Sequence, residues 1–500
     1  MKRGLLACAL LSALTFFLWA GPNEPQAGDV TMPAGKFQSL SYAPGRARQV
    51  EADLRLIATQ ADGIRTASAR EGNIAALAKQ AGLKLWLGIR LGADPQDNAK
   101  EIAAGIAAAN AYPGTVTRVV VGSEVLRRGD LPVNELIADI DEMRARVKQP
   151  VSYADSPAIW RKFPQVAAHV DVVTVDFVPY REGRPLDVDA SLAGIRATIA
   201  SFRQRFPDKE ISVGAAGWPS RGRWRKAAAP SRVNEAVFWR NFVTFAHQDK
   251  VDYNLTEAFD RNGAYQDTGV AGASWGLWTA QRALKFPLQG PVVEHPDWRW
   301  YAALGALMGS LLFGAVGFRN PRLAVPAFML GNGFAIACIG TLPVLYDDGA
   351  RLAAAVNLPL QAVFAFMVIR RADAMLSGAQ PQPKARHLFS YESLWFAFLA
   401  GAALSQALLV FDGRYRDAPL PAFIIPAIAA LFRLWTKDLP RASGWVEMGA
   451  ACALALLAIA DVGIEGAKNL DFVTWNLAAL LLAAPVLMGR KEALLFVNKK

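Results

Sequence analysis

The sequence predicts a two-part protein, an α/β part folded as a (β/α)8 barrel followed by an all-α polytopic transmembrane domain. Residues 37–280 alternate short β-branched runs with longer helical patterns, which is typical of repeated βα units. Residues 301–490 are instead a series of apolar stretches, each about 16 to 23 residues long and roughly able to cross a ~30 Å hydrocarbon core as a helix. The predicted domains are an N-terminal anchor (1–20), an exported barrel (21–300) and a membrane domain of about seven helices (301–500).

The N-terminal segment has the positive start and apolar centre of a secretion signal. Lys2 and Arg3 precede an apolar run that extends to Ala20. A cleavage site is weak because Leu18, rather than a small residue, stands before the end of this run. We therefore expect an uncleaved anchor in preference to a removed signal peptide.

Eight β-branched runs predict the strands of the barrel, and eight strands in about 240 residues fit one such fold. They are residues 37–42, 63–67, 84–89, 116–122, 150–153, 171–175, 210–214 and 253–257. In a (β/α)8 barrel the chemistry lies where strands end and βα loops begin. The residues that follow each run are therefore the candidates for a site.

The apolar stretches of the second part predict seven membrane spans, at 301–318, 323–345, 352–369, 391–411, 419–436, 446–461 and 472–489. Cations such as Arg370, Arg371 and Arg433 flank one side, whereas the other side carries acids such as Asp347 and Asp412. Positive-inside logic puts both termini in the cytoplasm, so we expect a multi-pass inner-membrane protein with the barrel on the periplasmic side. This asymmetry also explains much of the net charge of +11, and a nucleic-acid partner is not expected.

The cysteines and histidines predict neither a disulfide nor a metal site in the barrel. Cys8, Cys338 and Cys452 all lie in predicted membrane segments. The four histidines are scattered without ligand spacing. No cofactor or metal is expected.

Carboxylates and aromatic residues follow several of the predicted strands. Glu124 follows the fourth strand, and the other candidates are Asp176 and Tyr180 after the sixth, Trp218 after the seventh, and Glu257, Asp260 and Trp275 after the eighth. Aromatic faces stack on the apolar faces of sugars, while acids hydrogen-bond their hydroxyls. Each residue taken singly is more often a helix-terminal charge, a solvated loop residue or a packing ring. Their convergence on one face of the barrel is what favours a carbohydrate site.

Several segments, taken in order, resemble the family-17 glycoside hydrolases, especially a bacterial, membrane-anchored branch associated with β-1,3/β-1,6-glucan metabolism. The resemblance covers roughly residues 37–290, and the matching segments are 63–66, 119–131, 173–180, 217–220, 254–260 and 275–277. It implies that Glu124 is the general acid/base. It also implies a β-glucan oligo- or polysaccharide as ligand, with the lipid bilayer and a membrane glucan synthase as partners.

The chain departs from the family pattern at three positions around the implied site. The nucleophile should be a glutamate two residues before Gly217, but residue 215 is Ala. The family usually has Asn where this chain has Ser123, and the bacterial branch commonly has His where it has Asp176. An alanine methyl group cannot attack an anomeric carbon, so retaining hydrolysis is not inherited with the resemblance.

Three functions remain open from the sequence. The first is a glucan hydrolase or transglycosylase with Glu124 as acid, working by inversion with Asp176, Glu257 or Asp260 activating water. The second is an inactive barrel that holds glucan beside a membrane synthase. In both cases the residues expected to line the substrate site are Ser123, Asp176, Tyr180, Ala215, Trp218, Glu257 and Trp275. The third, transport by the membrane part, is disfavoured because polar residues in its spans are sparse.

Overall fold

Eight parallel strands close into a barrel in chain order, which confirms the predicted fold class. The computed structural model describes residues 2–45, 47–318, 320–378, 390–413, 415–439 and 444–497. The strands are β1 (Leu40–Ser41), β2 (Gly63–Arg65), β3 (Lys84–Ile89), β4 (Val116–Ser123), β5 (Val151–Asp155), β6 (Val172–Phe177), β7 (Glu210–Ala216) and β8 (Tyr253–Leu255). Every predicted run coincides with one strand; β5, β6 and β7 each extend two residues beyond their runs, and β4 extends one.

Helices precede, connect and follow the strands. They are α1 (Lys2–Ala20), α2 (Ala47–Gln60), α3 (Ile74–Gln80), α4 (Pro95–Ala111), α5 (Val125–Arg128), α6 (Val133–Arg146), α7 (Pro157–Lys162), α8 (Val188–Arg205), α9 (Arg232–Gln248) and α10 (Ala264–Ala273). Their starts follow local chemistry: the Asp94 carboxylate accepts hydrogen bonds from Gln96 N and Asp97 N at the start of α4, and Pro95 occupies its first position.

A second set of helices follows the barrel and has its own hydrophobic core. They are α11 (Trp298–Ala315), α12 (Ala324–Thr341), α13 (Asp348–Leu376), α14 (Tyr391–Asp412), α15 (Leu420–Trp435), α16 (Trp445–Glu465) and α17 (Leu470–Val497). Most buried apolar residues of the barrel form one cluster and those from Leu312 to Val486 form another, while Trp86, Val120 and Ala154 form a small third cluster within the barrel. Two separate cores are what a barrel and a helical bundle, each burying its own apolar faces, should produce.

Six helices within the described part of the chain are long and apolar enough to cross a membrane. They are Lys2–Asn23, Pro321–Val344, Asp348–Leu376, Tyr391–Asp412, Trp445–Glu465 and Leu470–Gly489. Of the seven spans predicted after the barrel, the first and fifth fall short. The 18-residue α11 begins with Trp298, Arg299 and Trp300, which lower its mean hydropathy, and α15 has only 16 residues.

The N-terminal helix packs against this bundle through a polar contact. The Trp19 indole N–H donates to Asn332 Oδ1 at 2.8 Å, and Asn332 Nδ2 donates to Thr15 Oγ1 at 3.1 Å. Because Asn332 lies in α12, α1 is joined to a helix more than 300 residues away in the chain.

The carboxyl end of the barrel faces the helical bundle. Arg223, in the loop after β7, forms an ion pair with Glu465 at the end of α16 and lies 4.5 Å from the centroid of the Phe472 ring. Asn469 Nδ2 donates to Trp224 O at 2.7 Å. The βα loops that would form a barrel's site are therefore partly covered by the ends of the bundle helices.

Candidate functional site

Glu124 stands directly after β4 in an unusual backbone conformation. Its φ of 55° and ψ of 23° are left-handed, which costs a residue with a Cβ roughly 1 kcal/mol. Its N–H donates to Ala154 O at 2.8 Å, and its carbonyl accepts from Arg128 N at 2.9 Å. The side chain is 26% exposed and forms an ion pair with Arg127. The turn therefore presents this carboxylate at the barrel mouth, as predicted for the residue after the fourth strand.

A buried ionic cluster lies beneath this carboxylate. Arg65, the last residue of β2, donates from Nη1 to Asp176 Oδ1 and from Nη2 to Ser123 Oγ, both at 3.1 Å. Ser123 Oγ donates in turn to Asp176 Oδ2 at 3.3 Å. The Arg65 and Asp176 side chains are only 9% and 5% exposed. We refer to Arg65, Ser123 and Asp176 as the arginine cluster.

Burial and charge act in opposite directions on Asp176. Removal from water raises the pKa of its carboxyl group, and Glu124 adds to this rise, whereas the Arg65 guanidinium lowers the pKa. Gly214 on β7 leaves room for the cluster, since a Cβ there would lie 2.4 Å from Asp176 Oδ1 and 2.8 Å from Arg65 Nη1. The Arg65 guanidinium also donates to Gly214 O at 2.5 Å.

Ala215 on β7 lies beside Asp176 on the adjacent strand β6. The two residues are paired between β6 and β7, at a point where the register shifts by an irregularity. Ala215 is partly exposed, unlike the buried residues on either side of it. A carboxylate is thus absent from the position on β7 and present on the strand beside it.

Glu257 follows β8 and is held by both backbone and side-chain contacts. Its N–H donates to Trp275 O at 2.8 Å, and its carboxylate pairs with Arg261 Nε at 2.9 Å. Burial raises the pKa of this carboxyl group, and Arg261 opposes the rise. Arg181 lies with its guanidinium 5.0 Å from the centroid of the Trp275 ring. Burial lowers the pKa of Arg181, while Glu124 and Glu257 both raise it, so this cation sits in the field of the two acids.

The predicted aromatic residues form a packed wall. Trp218 is fully buried, donates to Ala229 O at 2.9 Å and stacks on Phe238. Trp275 is 1% exposed and Tyr180 is 5% exposed. Tyr180 meets both tryptophans edge-on at ring-centroid distances of 6.3 and 6.0 Å. Because their faces are covered, by Arg181 in the case of Trp275, the rings shape the site from behind and offer no open stacking face.

Asp260, one of the acids predicted to activate water, belongs to a different cluster. Its Oδ1 accepts from Gly276 N at 2.8 Å and from Lys285 Nζ at 3.1 Å. Lys285 also bonds Glu235 and Ser220, at 3.0 and 2.8 Å. We refer to Lys285, Glu235 and Asp260 as the lysine cluster.

Four further charged residues at the mouth were not singled out from the sequence: Arg65, Glu71, Asp155 and Arg181. Asp155 ends β5, is fully buried and accepts hydrogen bonds from the Tyr153 hydroxyl and, at 2.7 Å, from Ser156 N. Burial raises the pKa of Glu71 to about 7. Arg65 lay within the 63–66 segment that carried part of the resemblance, so the signal for it was present; Arg181 follows Tyr180 and had none.

Comparison with known proteins identifies the type of domain that the barrel resembles. Residues 36–276 match the family model of the BtgE/BtgC glycoside hydrolase domain. A glucan 1,3-β-glucosidase from Arthroderma benhamiae is 28% identical over 272 residues, which cover 49% of this chain and 86% of that protein. One from Saccharomyces cerevisiae is 24% identical over 242 residues, covering 43% and 75%.

Among solved structures, a family-17 β-1,3-glucanosyltransferase from Rhizomucor miehei is 23% identical, with a TM-score of 0.46, over 51% of this chain and 98% of that chain. The expected resemblance to glycoside hydrolases is therefore confirmed at the level of the domain: residues 36–276 are similar to a glycoside hydrolase domain and to glucan 1,3-β-glucosidases.

Proposed function

We propose that the barrel is a glycoside hydrolase or transglycosylase acting on β-1,3-glucan, with Glu124 as general acid and Asp176 as the second carboxylate. The position of Asp176 carries this proposal: it pairs with Ala215 between β6 and β7, on the strand beside the missing nucleophile. The relatives whose names describe 1,3-β-glucosidases support the choice of substrate. β-1,6-Glucan, expected from the sequence, is retained as a second substrate to be tested.

The reaction that fits these groups is an inverting displacement. Asp176 removes a proton from water, the water oxygen attacks the anomeric carbon, and Glu124 donates its proton to the leaving glycosidic oxygen. A sugar hydroxyl in the place of water would accept the glucosyl group with the same inversion and give an α-linkage, so transglycosylation that keeps the β-linkage needs a second displacement. Arg65 lowers the pKa of Asp176 against the rise that burial causes, which favours the ionised form that a base requires. Glu257 and Arg181 would then bind hydroxyl groups of the sugar.

We further propose that the chain is a multi-pass inner-membrane protein that holds the barrel on the periplasmic side and takes part in glucan synthesis or remodelling. The six apolar helices and the packing of α1 on α12 support an uncleaved anchor at 1–20 and a membrane domain at 301–500. The contact between Arg223 and Glu465 supports a barrel that works close to the bilayer surface.

A second candidate function is a catalytically inactive barrel that holds glucan for a membrane glucan synthase. One observation favours it: residue 215 is Ala, which cannot act as the nucleophile of a retaining hydrolase. Such a barrel would bind glucan saturably and release no product.

Turnover by the full-length protein in detergent separates the two candidates. The native chain, Glu124→Gln and Asp176→Asn are incubated with β-1,3- and β-1,6-gluco-oligosaccharides, and the anomer of the first product is read by NMR. We expect an inverted product from the native chain and a loss of turnover of roughly 10²-fold or more in either variant. Unchanged turnover in Glu124→Gln contradicts the mechanism. Saturable binding without product in the native chain establishes the inactive barrel instead.

A further inference from the structure

A cavity of about 740 Å³ lies between the barrel and the helical bundle, outside the mouth described above. The barrel contributes Tyr265 and Gln266 from α10, and the bundle contributes residues of α14 and of the loop between α14 and α15. Its volume lies within the range of about 300–1,000 Å³ that is typical of ligand sites.

The lining of this cavity suits a neutral ligand that is rich in hydroxyl groups. Two tyrosines, Tyr265 and Tyr415, stand among three carboxylates, Asp347, Asp412 and Asp417. The guanidinium of Arg416, the lining cation, pairs with Asp412 at 3.1 Å. Carboxylates accept hydrogen bonds from sugar hydroxyls and repel phosphate, while tyrosine rings pack on sugar faces.

A second cavity nearby has more cations than acids in its lining. It measures about 580 Å³ and is lined by the cations Arg221, Arg232, Arg351 and Lys285 and by the acids Asp260 and Glu294. An anionic headgroup would be drawn to that cavity by charge, which leaves the acidic one for an uncharged ligand.

Asp417, which lines the acidic cavity, has a carboxylate oxygen without a partner in the described part of the chain. Its Oδ1 is buried without a hydrogen-bond partner among the residues that the structure describes. Burial also raises the pKa of this carboxyl group, to about 7, with the Asp471 charge adding to the rise and Arg223 opposing it. A buried oxygen without a partner costs free energy that a hydroxyl donor from a ligand would recover.

The loop that carries Asp417 reaches the barrel mouth. The Tyr415 side chain lies close enough to Arg181 to interact with it electrostatically, as Glu124 and Glu257 also do. The Tyr415 carbonyl oxygen packs on Gly269, where a Cβ would be only 2.3 Å away. Arg223 anchors the loop by donating to the carbonyl oxygens of Gly413 and Arg416. This loop therefore joins the cavity to the region of the mouth, and it is held by contacts with both Arg223 and Gly269.

We propose that this cavity binds further glucosyl units of the same β-glucan chain that the barrel engages, so that the helical bundle supplies part of the glucan site. This inference rests on the proposed function. It extends that function from a barrel cleft to a site shared by both parts of the chain, with Tyr265, Tyr415 and Asp417 as its contacts.

Chain-length dependence of binding tests this inference on the full-length protein in nanodiscs of neutral lipid. Every protein carries Glu124→Gln to prevent turnover, and calorimetry measures the binding of β-1,3-linked trisaccharide and heptasaccharide. We expect the parent to bind the heptasaccharide more tightly, and Asp417→Asn or Tyr265→Ala to weaken heptasaccharide binding by about tenfold while leaving the trisaccharide within about twofold. Arg351→Gln, in the other cavity, is the matched control and should change neither.

The outcomes distinguish failure of the cavity inference from failure of the proposed function. If both cavity variants bind the heptasaccharide as the parent does, the cavity inference is wrong and the proposed function stands. If the parent binds neither sugar, the proposed function fails and the inference fails with it. Asp417→Asn preserves side-chain shape, and its thermal midpoint, compared with that of the parent, distinguishes lost binding from lost folding. Competition for heptasaccharide binding by glycerol 3-phosphate, but not by glycerol, also overturns the assignment of a neutral ligand.

Discussion

The arginine cluster and the lysine cluster are two buried ionic groups near the carboxyl ends of strands in one barrel, but the surroundings of their charged groups differ. In the lysine cluster the Lys285 ammonium contacts Ser220 Oγ, Glu235 Oε1, Asp260 Oδ1 and Ser274 O at 2.8 to 3.3 Å. Its donors are spent on oxygens of the protein itself. Such a group holds loops and helices together and has nothing left to offer a substrate.

The arginine cluster has the same kinds of charge but adjoins a partly exposed position on β7. Asp176 shares Arg65 with Ser123 and Gly214, and its strand neighbour is the partly exposed Ala215. A buried ion pair that only stabilised the fold could be replaced by apolar residues with little loss. We infer from the difference that a buried cation whose donors are all used within the protein is a structural element, whereas a buried acid paired with a partly exposed position is a candidate for chemistry.

The largest expected effect is on turnover and comes from the arginine cluster. Asp176→Asn keeps the hydrogen bonds to Ser123 and Arg65 but removes the base, so turnover of β-1,3-glucan should fall by roughly 10²–10⁴-fold. Asp260→Asn is the matched change in the lysine cluster and should leave the turnover per folded molecule within about threefold. Steady-state rates, corrected for the folded fraction by circular dichroism, check both. Equal losses in the two variants would erase the distinction between the clusters.

The next effect is on stability and comes from the lysine cluster. Lys285→Met leaves the buried carboxylates of Glu235 and Asp260 without their cation, which should cost about 3–5 kcal/mol. For a domain of this size the thermal midpoint should fall by roughly 10 °C. Thermal unfolding of the full-length protein in detergent measures it, with the exposed Lys79→Met as control. A midpoint within about 1 °C of the parent would show that the cluster does not hold the fold together.

A smaller effect should follow from moving the carboxylate from β6 to the neighbouring strand β7. In the Asp176→Asn background, Ala215→Glu places a glutamate at the position where the family pattern has its nucleophile. We expect turnover to recover only about tenfold, because no neighbouring residues hold the new side chain in the orientation that attack requires. NMR of the first product should show retention in place of inversion, since a carboxylate on β7 acts as nucleophile. Recovery with inversion would assign the base to another residue, such as Glu257.

The barrel and its strand order could be predicted from sequence because both depend on local periodicity. Each of the eight runs coincides with a strand, and the helices after the barrel follow long apolar stretches. The position of Glu124 after β4 followed from the rule that sites lie at the carboxyl ends of strands.

The contacts between side chains could not be predicted, since they depend on which distant residues meet. Arg65 and Asp176 are 111 residues apart, and Arg223 and Glu465 are 242 apart. The burial of Trp218 was equally hidden, because a tryptophan after a strand reads the same whether its ring packs on Phe238 or faces a ligand. The roles assigned to Ser123, Tyr180, Glu257 and Trp275 stay predictions.

The smallest expected effect is on the thermal midpoint and comes from Glu71. The carboxylate of this residue belongs to neither the arginine cluster nor the lysine cluster. One oxygen pairs with Arg90 at 3.3 Å, while Oε2 is buried without a partner among the described residues. Burial raises the pKa from 4.5 to about 7, with Glu101 adding to the rise and Arg90 opposing it. The folded chain therefore holds this proton more tightly than the unfolded chain, and the stability from Glu71 is full below pH 4.5 and lost as the pH rises through about 7. Glu71→Gln should accordingly raise the thermal midpoint by about 2–4 °C at pH 8 and leave it unchanged at pH 4. Thermal unfolding across that pH range measures the change. A rise of equal size at both pH values would mean that the gain comes from packing and not from the charge.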